Sequence, residues 1–141
     1  MKGKVLICFD EVKKGEAVVN EGWELAMRLG CEAVVIHVQP RATGIAGSYE
    51  NVFHEDLERI ESLFGEPGRD EFVHIREHFQ GSAHPPRFIL VSGDPITSIH
   101  DELAKGGYQL VVIGNKIRTA LGAVGQSIIR EAPTSVMVVK Y

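Results

Sequence analysis

The stretch whose residue types best suit ligand chemistry runs from Leu110 to Arg130. Four apolar, β-forming residues stop at Gly114, a short polar loop follows, and a helix-like segment begins near Gly122. In α/β proteins this order holds phosphate groups, because the loop backbone comes close to the ligand and the helix N-terminus offers unpaired N–H groups. The stretch is therefore the first candidate for a nucleotide site.

Residues elsewhere can reach the same place if the strands are parallel, since ligands then bind beyond the carboxyl ends of the strands. Such ends fall at Asp10, at Val38-Gln39 and at Gly93. Asp10 suits two roles equally well. One is contact with a ribose or adenine, and the other is to accept backbone N–H bonds at the end of the strand. In the loop and the following helix start, the positions that suit an anion or its nucleoside are Gly114, Asn115, Lys116, Arg118, Gly122, Gly125 and Ser127.

Patterns for catalysis are missing from the sequence. Neither G-x4-G-K-[S/T] nor G-x-G-x2-G occurs, and no serine lies in the frame G-x-S-x-G. His74 and His78 have the spacing of a metal-binding pair, but no third ligand is evident, so two exposed helix histidines are the simpler interpretation. Cys8 and Cys31 fit no metal or redox spacing. We therefore expect no metal, and a protein that acts by binding and not by catalysis.

Length and composition indicate one soluble globular domain over residues 1–141, with 44% hydrophobic and 24% charged residues. A net charge of −4 and a pI near 5.8 argue against a nucleic-acid partner. No apolar run approaches the roughly 18 residues of a membrane span, and the first residues lack the features of a signal peptide. We expect a cytoplasmic protein without a membrane partner.

The elements that must position these residues alternate along the chain. Five apolar runs predict buried strands at residues 4–9, 33–38, 88–91, 108–113 and 136–139. Apolar positions at helical spacing predict helices between them, with Leu29 on the first buried stripe and Val124, Ile128 and Ile129 facing inward on the last. The alternation predicts an open, mostly parallel five-stranded sheet with helices on both faces.

Two further features are expected from single residues and breaks in the pattern. Gly22 interrupts a helix at a cost of about 1 kcal/mol, for which close packing on the sheet is the expected reason. Residues 41–87 are the least regular part of the chain, with a polar loop over 41–51. One helix is expected around Phe53–Phe64 and a short one around Phe72–Phe79, together covering one face of the sheet.

Five short pieces, weak when taken singly, occur in an order and at a spacing that are fairly specific. They are Val5–Asp10, Leu25–Gly30 with Ile36–Val38, Val91–Ile96, Leu110–Gly114 and Ala132–Lys140. Together they resemble the universal stress protein family over nearly the whole chain. The resemblance implies the adenine nucleotide alpha hydrolase-like fold with strand order 3-2-1-4-5. It also implies a switch point between the first and fourth strands, flanked by Asp10 and Gly114.

Nucleotide-binding members of that family carry the pattern G-x2-G-x9-G-[S/T] after the fourth strand, where N–H groups and the hydroxyl hold phosphates. Here Gly114 matches the first glycine, Ile117 stands at the second, and the loop is about five residues shorter. Counting back from Ala132, the last two positions are Gly122 and Ala123, and another gap placement puts Gly125 there. A β-branched residue is ill suited to positive φ or to backbone contact with a ligand.

We therefore expect a stress-response or regulatory domain in which ATP binding is weak or absent. AMP or another phosphate ester remains a possible smaller ligand. The alternative is an ATP- or AMP-binding switch, or a slow ATP hydrolase that uses the Gly114–Ser127 loop with a divalent metal. An electron-transfer-flavoprotein-like domain is a third interpretation, which the small size disfavours. An unidentified protein partner is also left open, with residues 41–87 as the place for member-specific function.

The last predicted strand, within Ser135–Lys140, is apolar and should lie at an edge of the sheet. An apolar edge is an aggregation hazard unless another strand or element covers it. The family resemblance implies dimers built through this strand. The sequence therefore predicts a two-fold homodimer.

Overall fold

The computed structural model describes residues 3–8, 16–39, 47–49, 70 and 73–141. These ranges contain both strands and helices, and the parallel strands are separated by helices, as expected for an α/β protein. In chain order they are β1 (Lys4–Cys8), α1 (Glu16–Leu29), β2 (Glu32–Gln39), β3 (Gly47–Tyr49), α2 (residues 73–78), β4 (Arg87–Ser92), α3 (Pro95–Ala104), β5 (Tyr108–Asn115), α4 (Ala123–Glu131) and β6 (Ser135–Lys140).

The described strands form one sheet in the order β3-β4-β2-β1-β5-β6. All neighbouring pairs are parallel except β3 with β4. The third, fourth and fifth predicted strands are β4, β5 and β6, so the expected order 3-2-1-4-5 is confirmed. The central strands are buried on both faces, which explains why their sequences are continuous apolar runs.

One part of the predicted loop over residues 41–51 is wrong. Gly47–Tyr49 pairs antiparallel with β4, and Gly47 stands opposite Ser92. A three-residue strand is too short to show a period of two, so its sequence gives no sign of it. The rest of that loop, and the helix expected around Phe53–Phe64, lie outside the described residues.

The helices cover both faces of the sheet, as predicted. On one face α1 and α2 pack over a cluster that includes Ile7, Val35 and Phe88. On the other face α3 and α4 pack over a cluster that includes Leu6 and Ile36. Within the expected short helix, residues 73–78 are helical and present buried Ile75 to the first cluster, which Phe79 joins from the following turn, so this part of the prediction is confirmed.

The residues at two helix ends are of types that suit their conformations. Gly30, just beyond α1, has φ +68°, the left-handed conformation of a helix stop. The Asp94 carboxylate accepts the Thr97 N–H at 2.9 Å, and Pro95 occupies the first turn of α3. That hydrogen bond lowers the pKa of Asp94. These ends set where α3 begins, beside the carboxyl edge of the sheet.

Two predicted inward positions are wrong. Leu29 is 51% exposed and Ile129 is 50% exposed, whereas Ile128 is fully buried. Neighbouring helical residues differ by about 100° in direction, so Ile129 turns away from the face that Ile128 occupies. Leu29 is the last residue of α1. The periodicity of apolar residues identified the buried face of each helix, but the buried face is narrower than predicted.

Candidate ligand site at the carboxyl edge of the sheet

A cavity of about 270 Å³ opens where β1 and β5 lie side by side at their carboxyl ends. The strand order reverses at this pair, which is the usual position of a ligand in such sheets. The described residues that line the cavity are Cys8, Ile36, Val38, Pro95, Ile99, Ile113, Gly114, Leu121, Gly122, Ala123, Val124, Gly125 and Ile128.

The structure brings only part of the predicted site to this cavity. Val38 lines it from the end of β2, and three glycines line it, namely Gly114, Gly122 and Gly125. Four other predicted residues are not among its described lining: Asn115, Lys116, Arg118 and Ser127. Asp10 lies outside the described residues, so its predicted role stays a prediction.

Gly114 has a structural reason to be glycine. A Cβ at this position would stand 2.6 Å from Cγ2 of Val18 in α1 and 3.0 Å from Cε1 of Tyr141. The first distance is shorter than real Cβ contacts and the second is tight, so a side chain here would require Val18, and with it α1, to shift. The glycine is therefore required by packing, whether or not a ligand touches its backbone.

The loop that follows β5 is closed by its own hydrogen bonds. The Ile117 N–H donates to the Tyr141 carbonyl at 2.7 Å, and the Tyr141 N–H donates to the Asn115 carbonyl at 3.2 Å. Asn115 Nδ2 donates to the Thr119 carbonyl at 3.0 Å. The ladder between β5 and β6 thus continues into the loop. The Ile117 N–H, which occupies the place of the family's second glycine, already has an acceptor.

Positive φ in this loop falls on Arg118 at +64°, and not on Ile117. The Thr119 N–H donates to the Lys116 carbonyl at 3.1 Å, which closes a four-residue turn with Arg118 at its third position. Ile117 therefore does not adopt the conformation for which a β-branched residue is ill suited. The conformation that favours glycine is one residue later, where a non-glycine residue costs about 1–2 kcal/mol.

Ser127 is buried, and its hydroxyl is engaged inside the fold. Ser127 Oγ lies 3.1 Å from Nε2 of His100, and the same nitrogen lies 3.7 Å from Oε2 of Glu131. A catalytic serine relay needs the carboxylate on the other ring nitrogen. The trio therefore joins α3 to α4 as a structural contact. His100 is half-buried at that contact.

The start of α4 is the part of the lining best suited to an acceptor group. Its cap, Gly122, makes no side-chain capping bond, and the first turn contains no acidic residue. The first helical hydrogen bond runs from the Gln126 N–H to the Gly122 carbonyl at 3.0 Å. Helix geometry leaves the N–H groups of residues 123–125 without an intrahelical acceptor. They stand at the cavity with the positive end of the helix dipole.

The histidine pair on α2 faces α1 and lies apart from the cavity lining. His74 Nε2 lies 3.4 Å from one carboxylate oxygen of Glu16, and His78 Nδ1 lies 3.1 Å from the other. These contacts join α2 to the first turn of α1. In the part of the chain that the structure describes, no group of three or more histidine, cysteine, aspartate and glutamate side chains could hold a metal ion.

The fold and the cavity together define a doubly wound α/β domain with a ligand cleft at its switch point. Residues 1–140 match the model of the universal stress protein family. The chain belongs to that family. A sequence comparison with curated proteins gives no match.

Solved structures share this fold along the whole chain. Universal stress protein UspA from Lactobacillus plantarum is 17% identical, with 98% of this chain and 97% of that one covered and a TM-score of 0.74. The hypothetical protein MJ0577 is 18% identical, with 100% and 97% covered and a TM-score of 0.68. A universal stress protein in complex with cAMP is 16% identical, with 99% and 97% covered and a TM-score of 0.63. At these identities the likeness concerns the fold alone.

Within the described ranges, every helix is too short or too polar to cross a lipid bilayer.

Proposed function

We propose that this chain is a non-catalytic stress-response or regulatory module whose cavity binds ATP weakly or not at all. The observation that carries the proposal is the hydrogen bond from the Ile117 N–H to the Tyr141 carbonyl. A phosphate cradle needs backbone N–H groups directed at the ligand, and this one is directed into the β5–β6 ladder. The Ser127 hydroxyl is likewise occupied, by His100.

The alternative function is a nucleotide switch or slow hydrolase that binds ATP or AMP. Two observations favour it: the N–H groups at the start of α4 face the cavity, and Lys116 and Arg118 are exposed beside the loop. Neither cation has an ion-pair partner among residues 16–39 and 73–141. The fold neighbour solved with cAMP adds support for a nucleotide of one phosphate group. One phosphate needs far fewer N–H donors than three.

Isothermal titration of the purified protein with ATP and AMP, with and without Mg²⁺, tests the proposal. We expect a dissociation constant for ATP weaker than ~100 μM, which is about −5.5 kcal/mol of binding free energy. We also expect phosphate release from ATP no faster than in buffer. Low-micromolar ATP affinity, or turnover, would contradict the proposal and favour the switch.

A set of charge variants separates the two functions further. If phosphate is bound beside the loop, Lys116→Gln and Arg118→Gln should weaken AMP binding several-fold, because each removes a charge-assisted contact. Arg130→Gln is the matched control, since Arg130 is an exposed cation in the last turn of α4. Under the non-catalytic proposal with an unused loop, all three variants should behave like the parent protein.

We further propose a homodimer in which the β6 strands of two copies pair. Strand β6 occupies one end of the sheet order, and its central residues Val136, Met137 and Val138 are half-buried in the single chain. A second copy would satisfy the outer backbone groups and cover these side chains. Light scattering should give twice the chain mass of 15.5 kDa. A monomer at every concentration tested would overturn this proposal.

A further inference from the structure

A single carboxylate on α1 faces two histidines on α2. Glu16 Oε2 lies 3.4 Å from His74 Nε2, and Glu16 Oε1 lies 3.1 Å from His78 Nδ1. His74 and His78 are four residues apart, so they lie on one face of α2. Glu16 is in the first turn of α1, where the positive end of the helix dipole favours its negative charge. One anion therefore serves both rings.

His78 has an acceptor at each of its ring nitrogens. Besides Glu16 at Nδ1, the side-chain oxygen of Asn20 lies 3.4 Å from Nε2. A neutral imidazole carries only one N–H, so one of these contacts would then place a lone pair against an acceptor oxygen. The charged ring donates from both nitrogens. The surroundings of His78 therefore suit the charged ring better than the neutral one.

The contact of His74 with Glu16 also gains from a charge on the ring. His74 Nε2 is shielded from water and has no hydrogen-bond partner among the described residues. The distance of 3.4 Å to Glu16 Oε2 is longer than a normal N–H···O bond. A shielded polar atom without a partner is unfavourable. A positive charge on the ring converts this contact into an attraction between opposite charges.

The other neighbours of the pair do not change charge over the range in which histidines titrate. The uncharged neighbours are Asn20 and the Phe79 ring, whose centroid lies 4.8 Å from that of His78. The charged residues near the pair on its own segment are Asp70, Arg76 and Glu77. Carboxylate and guanidinium groups keep their charge between about pH 5.5 and 8, whereas imidazole does not. The two histidines are thus the part of this contact that responds to pH.

The helix α2 depends on such contacts to stay in place. A helix of two turns is not stable by itself, so α2 is held by its packing on the rest of the protein. Ile75 and Phe79 are 1% and 6% exposed and belong to the cluster that contains Phe88. When α2 opens, these two side chains meet water. The strength of the Glu16 contacts therefore affects how often α2 opens.

We propose that Glu16, His74 and His78 form a pH-responsive clasp that holds α2 on α1. Both histidines are charged below about pH 6, and the added attraction is then fully present. The charges and the attraction are lost as the pH rises through about 7, and α2 then opens more often. This inference goes beyond the proposed function and does not depend on whether the cavity binds a nucleotide.

Hydrogen exchange at pH ~5.5 and ~8 tests the clasp, with rates corrected for the intrinsic effect of pH. The Phe79 N–H donates to the Ile75 carbonyl at 3.2 Å, so its exchange reports the opening of α2. We expect this amide to be about fourfold better protected at the lower pH, which is about twofold for each of two partly exposed ion pairs. Amides of the central strand β1 serve as the internal reference. Equal protection of the Phe79 amide at both pH values would overturn the proposal.

Three substitutions assign the response to particular side chains. Glu16→Gln keeps the size of the side chain but removes its charge, so it should abolish the difference between the two pH values. His78→Gln should leave about twofold of the response, from His74 alone. His84→Gln is the control, because His84 is an exposed histidine whose described hydrogen bonds involve only its backbone. A full response in Glu16→Gln, or a lost response in His84→Gln, would overturn the assignment.

The chain's one tryptophan gives a second readout on the unmodified protein. Trp23 donates its indole N–H to the His84 carbonyl at 2.8 Å, and its ring centroid lies 5.3 Å from that of Phe79. Opening of α2 removes Phe79 from this contact, so Trp23 emission should shift to longer wavelength at pH ~8 relative to ~5.5. An emission maximum that does not change would count against the clasp.

Salt separates an ionic clasp from a pH effect of another origin. The Glu16 side chain is 44% exposed, so dissolved ions reach the contact and screen it. In ~0.5 M NaCl the difference in Phe79 protection between the two pH values should fall by about half or more. A difference that salt does not reduce would overturn the ionic origin of the response.

Discussion

A Gly22→Val variant is expected to be about 3 kcal/mol less stable than the parent chain, which is the upper end of overpacking costs. A Cβ at Gly22 would stand 2.7 Å from Cγ1 and 2.9 Å from Cδ1 of Ile7. Ile7 is fully buried in β1, the strand between β2 and β5. Because the core is close-packed, either Ile7 leaves its rotamer or α1 lifts from the sheet. Urea unfolding measures the loss as a lower midpoint.

Glu24→Val is the matched control for this prediction. Glu24 is an exposed residue of the same helix, so valine there should cost only about 0.5 kcal/mol of helix propensity. Shortening the opposing side chain by Ile7→Val should recover about 1 kcal/mol in the Gly22→Val background, because contacting residues couple. A Gly22→Val variant as stable as Glu24→Val would show that α1 does not press on β1 at this point.

Gly22 illustrates what the sequence could predict about the fold. A glycine in the middle of a helical pattern needs a packing reason, and the reason was predicted without coordinates. The strands themselves were predicted from continuous apolar runs, which are a local signal, whereas the strand order was what the family resemblance implies. By contrast, the exposure of Leu29 and Ile129 depends on where each helix sits on the sheet. The periodicity of apolar residues alone does not show how each helix is placed on the sheet.

The candidate site was less predictable, because one residue type serves two physical needs. Gly114 suited a phosphate loop in the sequence, and the structure shows a close approach of Val18 and Tyr141. Both needs select glycine, so the pattern alone cannot separate them. The Tyr141 carbonyl accepts the Ile117 N–H from the end of the neighbouring strand, and no motif in the loop predicts this hydrogen bond.

Contacts between segments that are distant in sequence were not predicted either, because local patterns do not show which segments meet. Glu16 contacts His74 and His78, which the sequence left as a histidine pair without a third group. The buried pair of Glu102 and Tyr108 was not singled out at all. A glutamate on a helix and a tyrosine that opens a strand are ordinary residues in sequence. Only the packing of α3 on the sheet makes their contact important for stability.

Tyr108→Phe should lower the free energy of unfolding by about 2 kcal/mol at pH 7, since a buried carboxylate then loses a donor. The Tyr108 hydroxyl donates to Oε2 of Glu102, which is only 4% exposed. Lys105 Nζ remains 3.0 Å from Oε1 but is itself half exposed. Tyr141→Phe is the control, because within the described residues its hydroxyl has no hydrogen bond. Adding Glu102→Gln to Tyr108→Phe should restore part of the loss by removing the buried charge.

The same hydroxyl makes the effect depend on pH. Burial, followed by the hydrogen bond to Glu102, raises the pKa of Tyr108 far above its ordinary value. Above pH ~10 the unfolded chain loses this proton while the folded chain keeps it, so stability falls by up to about 1.4 kcal/mol per pH unit. Tyr108→Phe lacks that loss. The stability gap between parent and variant should therefore be full below pH ~10 and narrow by about 1.4 kcal/mol at pH ~11. A gap that stays constant across urea unfolding from pH 8 to 11 would show that the hydroxyl is not held protonated by the fold.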